Sequence, residues 1–320
     1  MTILDFERPI YELESKIQEL KEFGSSKNIS LDTEIKKLEQ KLEKLRQEIY
    51  SHLTVWRRVQ IARHPDRPYT IDYIRMLMTD FIELHGDREF ADDLAIVSGF
   101  AKIDGKKVLV LGHQKGRDTK ENLKRNFGCA HPEGYRKAMR LMRLAEKFGL
   151  AIIIFIDTPG AYPGVGAEER GQAQAIAANL RDMFELSVPI IATVIGEGGS
   201  GGALGIGIAD RVCIFQHAYY SVISPEGCAS ILWRSSAKAP EAAEALKITG
   251  EDLLKFGVVD EVIPEPLGGV HKDPETAAAN LKKTILKYLE ELSLLPKEEL
   301  LKNRYQKFRK IGMFVEKNPE

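Results

Sequence analysis

The chain has 320 residues, of which 43% are hydrophobic and 29% are charged, a composition typical of a folded globular protein and not of a disordered one. Its 46 basic and 47 acidic side chains give a formal net charge of −1. This balance excludes a whole-protein positive field for nucleic acid, so any anion binding must come from a local site.

The cysteines and the apolar segments limit the class of protein further. Cys129, Cys213 and Cys228 are an odd and widely spaced set, which predicts neither a disulfide framework nor a zinc site. Residues 1–10 are too charged for a signal peptide. The longest apolar run, Leu150–Ile156, is far shorter than the roughly 20 residues that span a bilayer. We therefore expect a cytoplasmic protein without a membrane segment.

Residues 1–65 predict a helical hairpin. Apolar residues recur at helical spacing in residues 10–20, and Gly24-Ser25-Ser26 is expected to end that helix. Residues 31–49 place Leu and Ile at alternating four- and three-residue steps, which is a heptad pattern. The two prolines in residues 64–68 prevent further helix. The apolar stripe is expected to pack either on the rest of this chain or on a partner subunit, and the sequence leaves both open.

The rest of the chain alternates strands and helices. Asp104-Gly105 is a hairpin turn signal, and Gly149 is placed to terminate a helix. The later apolar runs are continuous and each precedes a helix, which indicates an α/β fold with mostly parallel strands covered on both faces. The predicted strands are Ala95–Ile103, Val108–Gly112, Leu150–Ile156, Val188–Ile195, Arg211–Phe215, Tyr219–Val222 and Val258–Ile263. The predicted helices are Gly134–Phe148, Ala167–Met183, Ala203–Ala209, Pro240–Lys247, Glu251–Lys255 and Pro274–Leu294.

The glycine-rich segment Gly196–Gly202 lies between a predicted strand and a predicted helix. Its spacing matches the dinucleotide fingerprint, but the next strand, Arg211–Phe215, does not end in the acidic residue that would hold a ribose hydroxyl. The same segment matches the nucleophile elbow of serine hydrolases, with Ser200 as nucleophile and His217 or His271 as its base. The bland alternative is that Ser200 is only a small residue in a tight turn.

A third interpretation of the glycines is an oxyanion hole. Glycines let backbone amides at a helix N-terminus approach a ligand closely, and two amides that converge on one oxygen stabilise charge that develops during reaction. A second turn, Asp157–Gly164, follows the predicted strand Leu150–Ile156. Its Asp-x-x-Gly pattern is found in GTPase switches, but the chain has no phosphate-binding loop and no base-recognition motif. Since loops at the same ends of neighbouring parallel strands bracket a ligand crevice, we expect both turns to face one cleft.

Five longer segments, in order, resemble the carboxyltransferase α subunits of multi-subunit acetyl-CoA carboxylases. They are GHQKGRDTKENLKRNFGCAHPEGYRKAMRLM at Gly112–Met142, DTPGAYPGVGAEERG at Asp157–Gly171, GEGGSGGALGIG at Gly196–Gly207, SVISPEGCASILW at Ser221–Trp233 and VIPEPLGG at Val262–Gly269. The resemblance covers nearly the whole chain. It implies a crotonase-like α/β fold, a spiral of ββα units with oxyanion holes at helix N-termini. It also implies an N-terminal helical hairpin for subunit contact over residues 1–65, a carboxyltransferase domain over 66–295 and a C-terminal tail over 296–320.

The resemblance also implies roles for individual residues. Gly201 and Gly202 match the glycine pair whose amides hold the ureido oxygen of biotin, and Ala203 is an alternative donor to Gly201. The other residues expected to shape or line the biotin side of the cleft are Gly160, Tyr162, Gly164, Gly198 and Gly199. The basic candidates for the CoA phosphates or the partner interface, or else for a plain solvated face, are Arg117, Lys120, Lys124 and Arg125.

The implied reaction is carboxyl transfer from carboxybiotin on a carrier protein to acetyl-CoA, forming malonyl-CoA for fatty acid biosynthesis. It needs two oxyanion holes, one for each enolate, and this chain offers one candidate. In the family the second hole and a four-cysteine zinc ribbon belong to the β subunit. We therefore expect an α2β2 core that works with a biotin carboxyl carrier protein and a biotin carboxylase, with no metal or covalent cofactor in this chain. The alternative from a different class is a non-catalytic scaffold for β.

Overall fold

The computed structural model describes residues 3–27 and 30–312, and its N-terminal part is a pair of helices. Helix α1 spans Arg8–Lys27 and α2 spans Asp32–Ser51, while residues 28–29 between them lie outside the described residues. The helices run antiparallel, because Glu14 and then Lys21 along α1 contact Arg46 and then Glu39, which follow in the reverse order along α2. Their facing apolar residues form a small separate core around Ile10, Ile17 and Leu42. The predicted pair of helices is therefore present.

The expected end of the first helix at Gly24 is wrong. Helix α1 continues through Gly24-Ser25-Ser26 to Lys27. The hydroxyl of Ser25 donates to the carbonyl of Lys21 at 2.9 Å, and that of Ser26 donates to the carbonyl of Phe23 at 3.0 Å. Glycine and serine lower helix propensity by less than about 1 kcal/mol each, so the flanking helical turns override them.

A mixed sheet forms the centre of the rest of the chain. Within the described residues its strands are β1 Thr79–Glu83, β2 Ile96–Ile103, β3 Lys106–His113, β4 Ala151–Thr158, β5 Ile190–Gly199, β6 Arg211–Phe215, β7 Tyr219–Ser221 and β8 Glu261–Ile263. Their order is β1-β2-β3-β4-β5-β6-β8, with β7 paired to the end of β5. Strands β1 to β3 are antiparallel, and all later pairs are parallel. The parallel strands therefore end at one edge, as the continuous apolar runs predicted.

Helices pack around this sheet. They are α3 Val55–Ala62, α4 Thr70–Leu77, α5 Thr119–Lys124, α6 Pro132–Lys147, α7 Val165–Glu169, α8 Gln172–Met183, α9 Ser200–Leu204, α10 Pro225–Trp233, α11 Ala239–Leu246, α12 Gly250–Lys255, α13 Pro274–Ser293 and α14 Lys297–Arg309. Strands β4 and β5 are buried along almost their whole length under these helices. Among the helices of the described residues, none is both long and apolar enough to cross a membrane.

Several predicted bounds are confirmed and others are wrong. Strand β6 has the predicted bounds, and Gly149 has φ +64°, as expected of a residue that terminates a helix. The predicted helix Ala167–Met183 is divided into α7 and α8, because Gly171 adopts φ +81°. The predicted helix Ala203–Ala209 is misplaced, since α9 spans Ser200–Leu204. The sequence pattern also missed α3, α4, α5, α10, α14 and β1.

The C-terminal region is anchored in the body. Residues 297–309, expected as part of a tail, form α14, in which Leu300 and Arg304 are buried. Residues 313–320 of that tail lie outside the described residues. Near the other end, Val59 and Ala62 of α3 pack against residues of the body. The domain boundaries at residues 65 and 295 stay predictions.

Candidate functional site

Strand β5 carries the chain into the glycine-rich segment. Residues Glu197–Gly199 belong to this strand and pair with Tyr219–Ser221 of β7. A Cβ on Gly198 would lie 2.8 Å from the ring of Tyr220, so the close pairing requires glycine there. Gly196 and Gly198 are therefore strand residues, whereas the dinucleotide fingerprint places its glycines in a turn. The fingerprint interpretation is wrong.

Ser200 forms the turn that follows β5. Its φ is +50°, a left-handed conformation that is uncommon for a residue other than glycine. The short helix α9 begins at this residue. Since the first amides of a helix have no acceptor within it, the N–H groups of Gly201, Gly202 and Ala203 are presented at this end. The turn thus places adjacent backbone donors at the edge where the parallel strands end.

The two glycine-containing turns pack against each other through their backbones. A Cβ on Gly199 would lie 2.1 Å from the carbonyl oxygen of Pro159, and one on Gly202 would lie 2.4 Å from the carbonyl carbon of Gly160. Glycine is required at Gly199 and Gly202 because no side chain fits between the turns. A Cβ on Gly201 would meet only one side-chain carbon, at 3.7 Å, so Gly201 borders open space. The structure therefore brings Gly160, Gly199 and Gly202 together.

Tyr162 and Gly164 lie farther along the first turn. The ring of Tyr162 stacks on His131 with 4.1 Å between centroids, and its amide donates to the carbonyl of Ala130 at 3.0 Å. Gln172 Nε2 donates to the Tyr162 carbonyl at 3.0 Å. A Cβ on Gly164 would lie 2.4 Å from the Tyr162 ring. This part of the turn is therefore fixed by contacts with the residues before α6 and at the start of α8.

A buried charge network, which no sequence motif predicted, lies at the base of both turns. Lys115 Nζ lies 2.7 Å from Asp157 Oδ1 and 2.7 Å from Glu197 Oε2. The other oxygen of Glu197, Oε1, accepts hydrogen bonds of 2.7 Å from Arg63 Nε and from the Tyr219 hydroxyl. The one signal in the sequence was the position of two carboxylates at the carboxyl ends of apolar strands. Their cation lies 42 and 82 residues away along the chain.

Lys115 and Glu197 are charged at neutral pH. Burial alone would raise the pKa of Glu197, but Lys115 and Arg63 lower it to about 2. Burial opposes the charge of Lys115, yet the carboxylates of Asp157 and Glu197 raise its pKa above its ordinary value. The neighbouring His113 is different, because burial and the charge of Lys115 lower its pKa to about 3 and leave it neutral.

The basic candidates do not form one cluster aimed at the cleft. Arg117 donates to the carbonyls of Pro65 and Arg67, at 2.7 and 2.9 Å, and lies over the ring of Tyr69. Arg125 donates to Glu121 within α5 and to the carbonyl of Leu94. These two arginines fix loops of this chain. The side chains of Lys120 and Lys124 are exposed on α5.

The hydrolase alternative lacks its base. Within the described residues, no hydrogen bond joins Ser200 to His217 or His271, and both ring nitrogens of His271 have no hydrogen-bond partner. The His271 ring instead stacks on His64 with 3.9 Å between centroids. Ser200 is therefore a small residue in a tight turn, without the contacts of a catalytic nucleophile.

Comparison with known proteins identifies the family. The family model described as acetyl co-enzyme A carboxylase carboxyltransferase-like matches residues 3–312. The acetyl-coenzyme A carboxylase carboxyl transferase subunit alpha of Geobacter metallireducens is 58% identical over 313 residues, which cover 98% of each chain. The protein of the same name from Thermus thermophilus is also 58% identical, over 98% of this chain and 99% of its own. The chain belongs to this family.

Solved structures agree with this assignment at the level of the fold. Transcarboxylase 12S, crystallised with methylmalonyl-coenzyme A, superposes with a TM-score of 0.59 at 22% identity, over 74% of this chain and 45% of that chain. A Pseudomonas malonate decarboxylase hetero-tetramer in complex with coenzyme A superposes with a TM-score of 0.56 at 18% identity, over 67% of this chain and 85% of that chain. The chain therefore has the crotonase-like fold that its motifs implied.

Proposed function

We propose that this α subunit forms the biotin half of a carboxyltransferase site, and that the amides of Gly201 and Gly202 hold the ureido oxygen of carboxybiotin. The turn at Ser200 carries this proposal, because it presents adjacent first-turn amides beside open space at Gly201. The packing of Gly202 against Gly160 supports it, since both amides then have fixed directions. We keep Ala203 as the alternative donor to Gly201.

The proposed role of the amides follows from the chemistry of carboxybiotin. The N–CO2 bond of this substrate is stable until negative charge can collect on the ureido oxygen. Two fixed N–H donors aimed at that oxygen lower the free energy of the charged state, most strongly in a cleft without water. CO2 then leaves the ring nitrogen, and the electron pair moves to the ureido oxygen. Loss of one such donor typically costs about 3–4 kcal/mol of transition-state stabilisation.

We assign removal of a proton from acetyl-CoA to the ureido enolate and not to a side chain of this subunit. The carboxylates of Asp157 and Glu197 are held by Lys115, and Glu197 is a weak base with a pKa of about 2. His113 is fully buried. Once the methyl proton has passed to biotin, the acetyl-CoA enolate attacks CO2 and malonyl-CoA forms. We therefore do not assign the base to this network of charges.

The proposed reaction needs a second subunit. An oxyanion hole for the acetyl-CoA enolate, and a zinc ribbon, are assigned to a β subunit in an α2β2 assembly. The helices α1 and α2 are the proposed contact with β, and the carboxylated substrate arrives on a biotin carboxyl carrier protein loaded by a biotin carboxylase. We propose the cytoplasm as the site of this complex. The competing proposal is a scaffold that only supports β.

The experiment is malonyl-CoA-dependent carboxyl transfer to free biotin by α alone, β alone and the purified mixture. We expect transfer in the mixture only, because each subunit contributes one oxyanion hole. Size-exclusion chromatography of the same samples shows whether the subunits assemble. An assembled mixture without transfer would contradict the proposed function, and labelling of Ser200 by a serine-hydrolase probe would then favour the hydrolase alternative.

A further inference from the structure

The ends of three parallel strands meet at one ammonium group. Lys115 follows β3 by two residues, Asp157 is the penultimate residue of β4, and Glu197 lies near the end of β5. The side chain of Lys115 is only 13% exposed, and those of Asp157 and Glu197 are 2% and 9% exposed. A buried ion pair of this kind contributes little net stability, because desolvation offsets the attraction between the charges. Its position beside the cleft needs another explanation.

The two carboxylates are the roots of the two turns. Asp157 is followed directly by the turn that contains Gly160, and Glu197 is followed by the segment that leads to Gly201 and Gly202. Asp157 Oδ1 also accepts a hydrogen bond from the backbone N–H of Glu197 at 2.9 Å, so the side chain of β4 is tied directly to the main chain of β5 at this point. Movement of either carboxylate therefore moves the backbone of the turn that it precedes.

The sign of the charge matters as much as the position. The carboxylates at the starts of the two turns oppose negative charge that collects on the ureido oxygen, and such an effect is large in a low-dielectric interior. Lys115 is the cation that contacts both of them. Of these two carboxylates, Arg63 contacts only that of Glu197. Arg63 also forms an ion pair with Glu226, at 2.5 Å.

We propose that Lys115 is a positioning residue for carboxyl transfer, which joins Asp157 to Glu197, fixes the two turns and cancels carboxylate charge behind the Gly201 and Gly202 amides. This inference rests on the proposed function. It adds a residue that the sequence motifs did not single out, and one that acts through the amides without touching the substrate.

The charged and titratable groups that face this cluster come from several elements. Besides Arg63, a second arginine, Arg67, interacts electrostatically with Asp157, and it forms an ion pair with Glu265. The remaining groups that interact with members of the cluster are Tyr69, Tyr73, His113, Cys129 and Tyr219. A phenol or a thiol carries no positive charge in either protonation state, and burial lowers the pKa of His113, so none of these groups becomes a cation that replaces Lys115 near neutral pH.

The test compares Lys115→Met with Lys107→Met in the assembled α and β subunits. Lys107 lies at the exposed start of β3, the strand that precedes Lys115, and is the matched control. We expect Lys115→Met to lower kcat for transfer to biotin about 100-fold, the size of effect that a misplaced catalytic group produces, with KM for malonyl-CoA unchanged. Lys107→Met should retain the wild-type kcat.

The pH profile separates positioning from mere folding. Without Lys115, burial and mutual repulsion raise the pKa of one carboxylate of the pair, so a proton neutralises it at low pH and leaves at higher pH. The kcat of Lys115→Met relative to wild type should therefore fall as pH rises from about 6 to about 9. Adding Glu197→Gln removes one carboxylate, so the double variant should lose this pH dependence and recover about tenfold of the lost kcat.

Each outcome decides the inference. A wild-type kcat for Lys115→Met, or a loss that neither depends on pH nor recovers with Glu197→Gln, would overturn it. If Lys115→Met alone does not assemble, the double variant decides: a kcat about tenfold below Lys107→Met supports the inference, and an equal kcat overturns it. Absence of transfer in the wild-type mixture is a different result, because it contradicts the proposed function itself.

Discussion

Gly202→Ala is expected to lower carboxyl transfer about 100- to 1,000-fold in an α subunit that still assembles with β. The added Cβ would lie 2.4 Å from the carbonyl carbon of Gly160 and 2.5 Å from the amide of Ala161. Both contacts are with backbone, which cannot rotate aside as a side chain can. The two turns must therefore separate, and the Gly202 amide loses the direction that the proposed oxyanion hole needs. The measurement is malonyl-CoA-dependent transfer to biotin at saturating malonyl-CoA.

Gly201→Ala is the matched control for Gly202→Ala, because it adds the same methyl group at a position where that group does not clash. Its Cβ would meet only Ile176 Cδ1, at 3.7 Å, which is an ordinary contact. We expect its free energy of unfolding to stay within about 0.5 kcal/mol of wild type, whereas that of Gly202→Ala should fall measurably. An assembled Gly202→Ala enzyme with the wild-type rate would contradict the oxyanion-hole role and favour the scaffold alternative.

Arg304→Met is expected to lower the free energy of unfolding by about 3–5 kcal/mol, the largest stability effect that we predict. Arg304 is fully buried, and its guanidinium donates to both oxygens of Asp210, at 2.8 and 2.7 Å. It also donates to the carbonyls of Met183, Leu186 and Val188. Methionine fills a similar volume but leaves the Asp210 carboxylate buried without its charged partner. The measurement is denaturant unfolding followed by circular dichroism.

Lys302→Met is the control for α14, because Lys302 lies on the exposed face of the same helix. Its free energy of unfolding should stay within about 0.5 kcal/mol of wild type. Equal stability of Arg304→Met and Lys302→Met would show that α14 contributes little to the fold. The expected difference instead makes residues 297–309 part of the folded body, although the sequence suggested a tail.

Local patterns were enough to predict much of the sheet. The apolar run Arg211–Phe215 has the bounds of β6, and Asp104-Gly105 joins β2 to β3 with positive φ at both residues. Such features depend on a few adjacent residues, so they are visible in one sequence. Breaks caused by single glycines were less predictable. Gly24 lies inside a helix while Gly171 interrupts one, and only tertiary contacts distinguish these positions.

The candidate site was predicted only in part, for the same physical reason. The glycines were recognisable because a turn that excludes side chains leaves a dense glycine pattern, which the family resemblance then connected with biotin. The pairing of Lys115 with Asp157 and Glu197 was not predictable from local sequence. These residues are far apart in the chain, and they meet only because the parallel strands end at the same edge of the sheet. Helix α14 was missed because its exposed residues are mostly charged and only Leu300 and Arg304 are buried.

The most direct test of the central claim is a crystal structure of the assembled α and β subunits with biotin bound. The measured quantity is the distance from the ureido oxygen to the backbone nitrogens of Gly201, Gly202 and Ala203. We predict two of these distances at about 2.7–3.2 Å, the range of an N–H donor and an oxygen acceptor. Biotin bound in the transfer site with its ureido oxygen beyond hydrogen-bonding distance of all three nitrogens would contradict it.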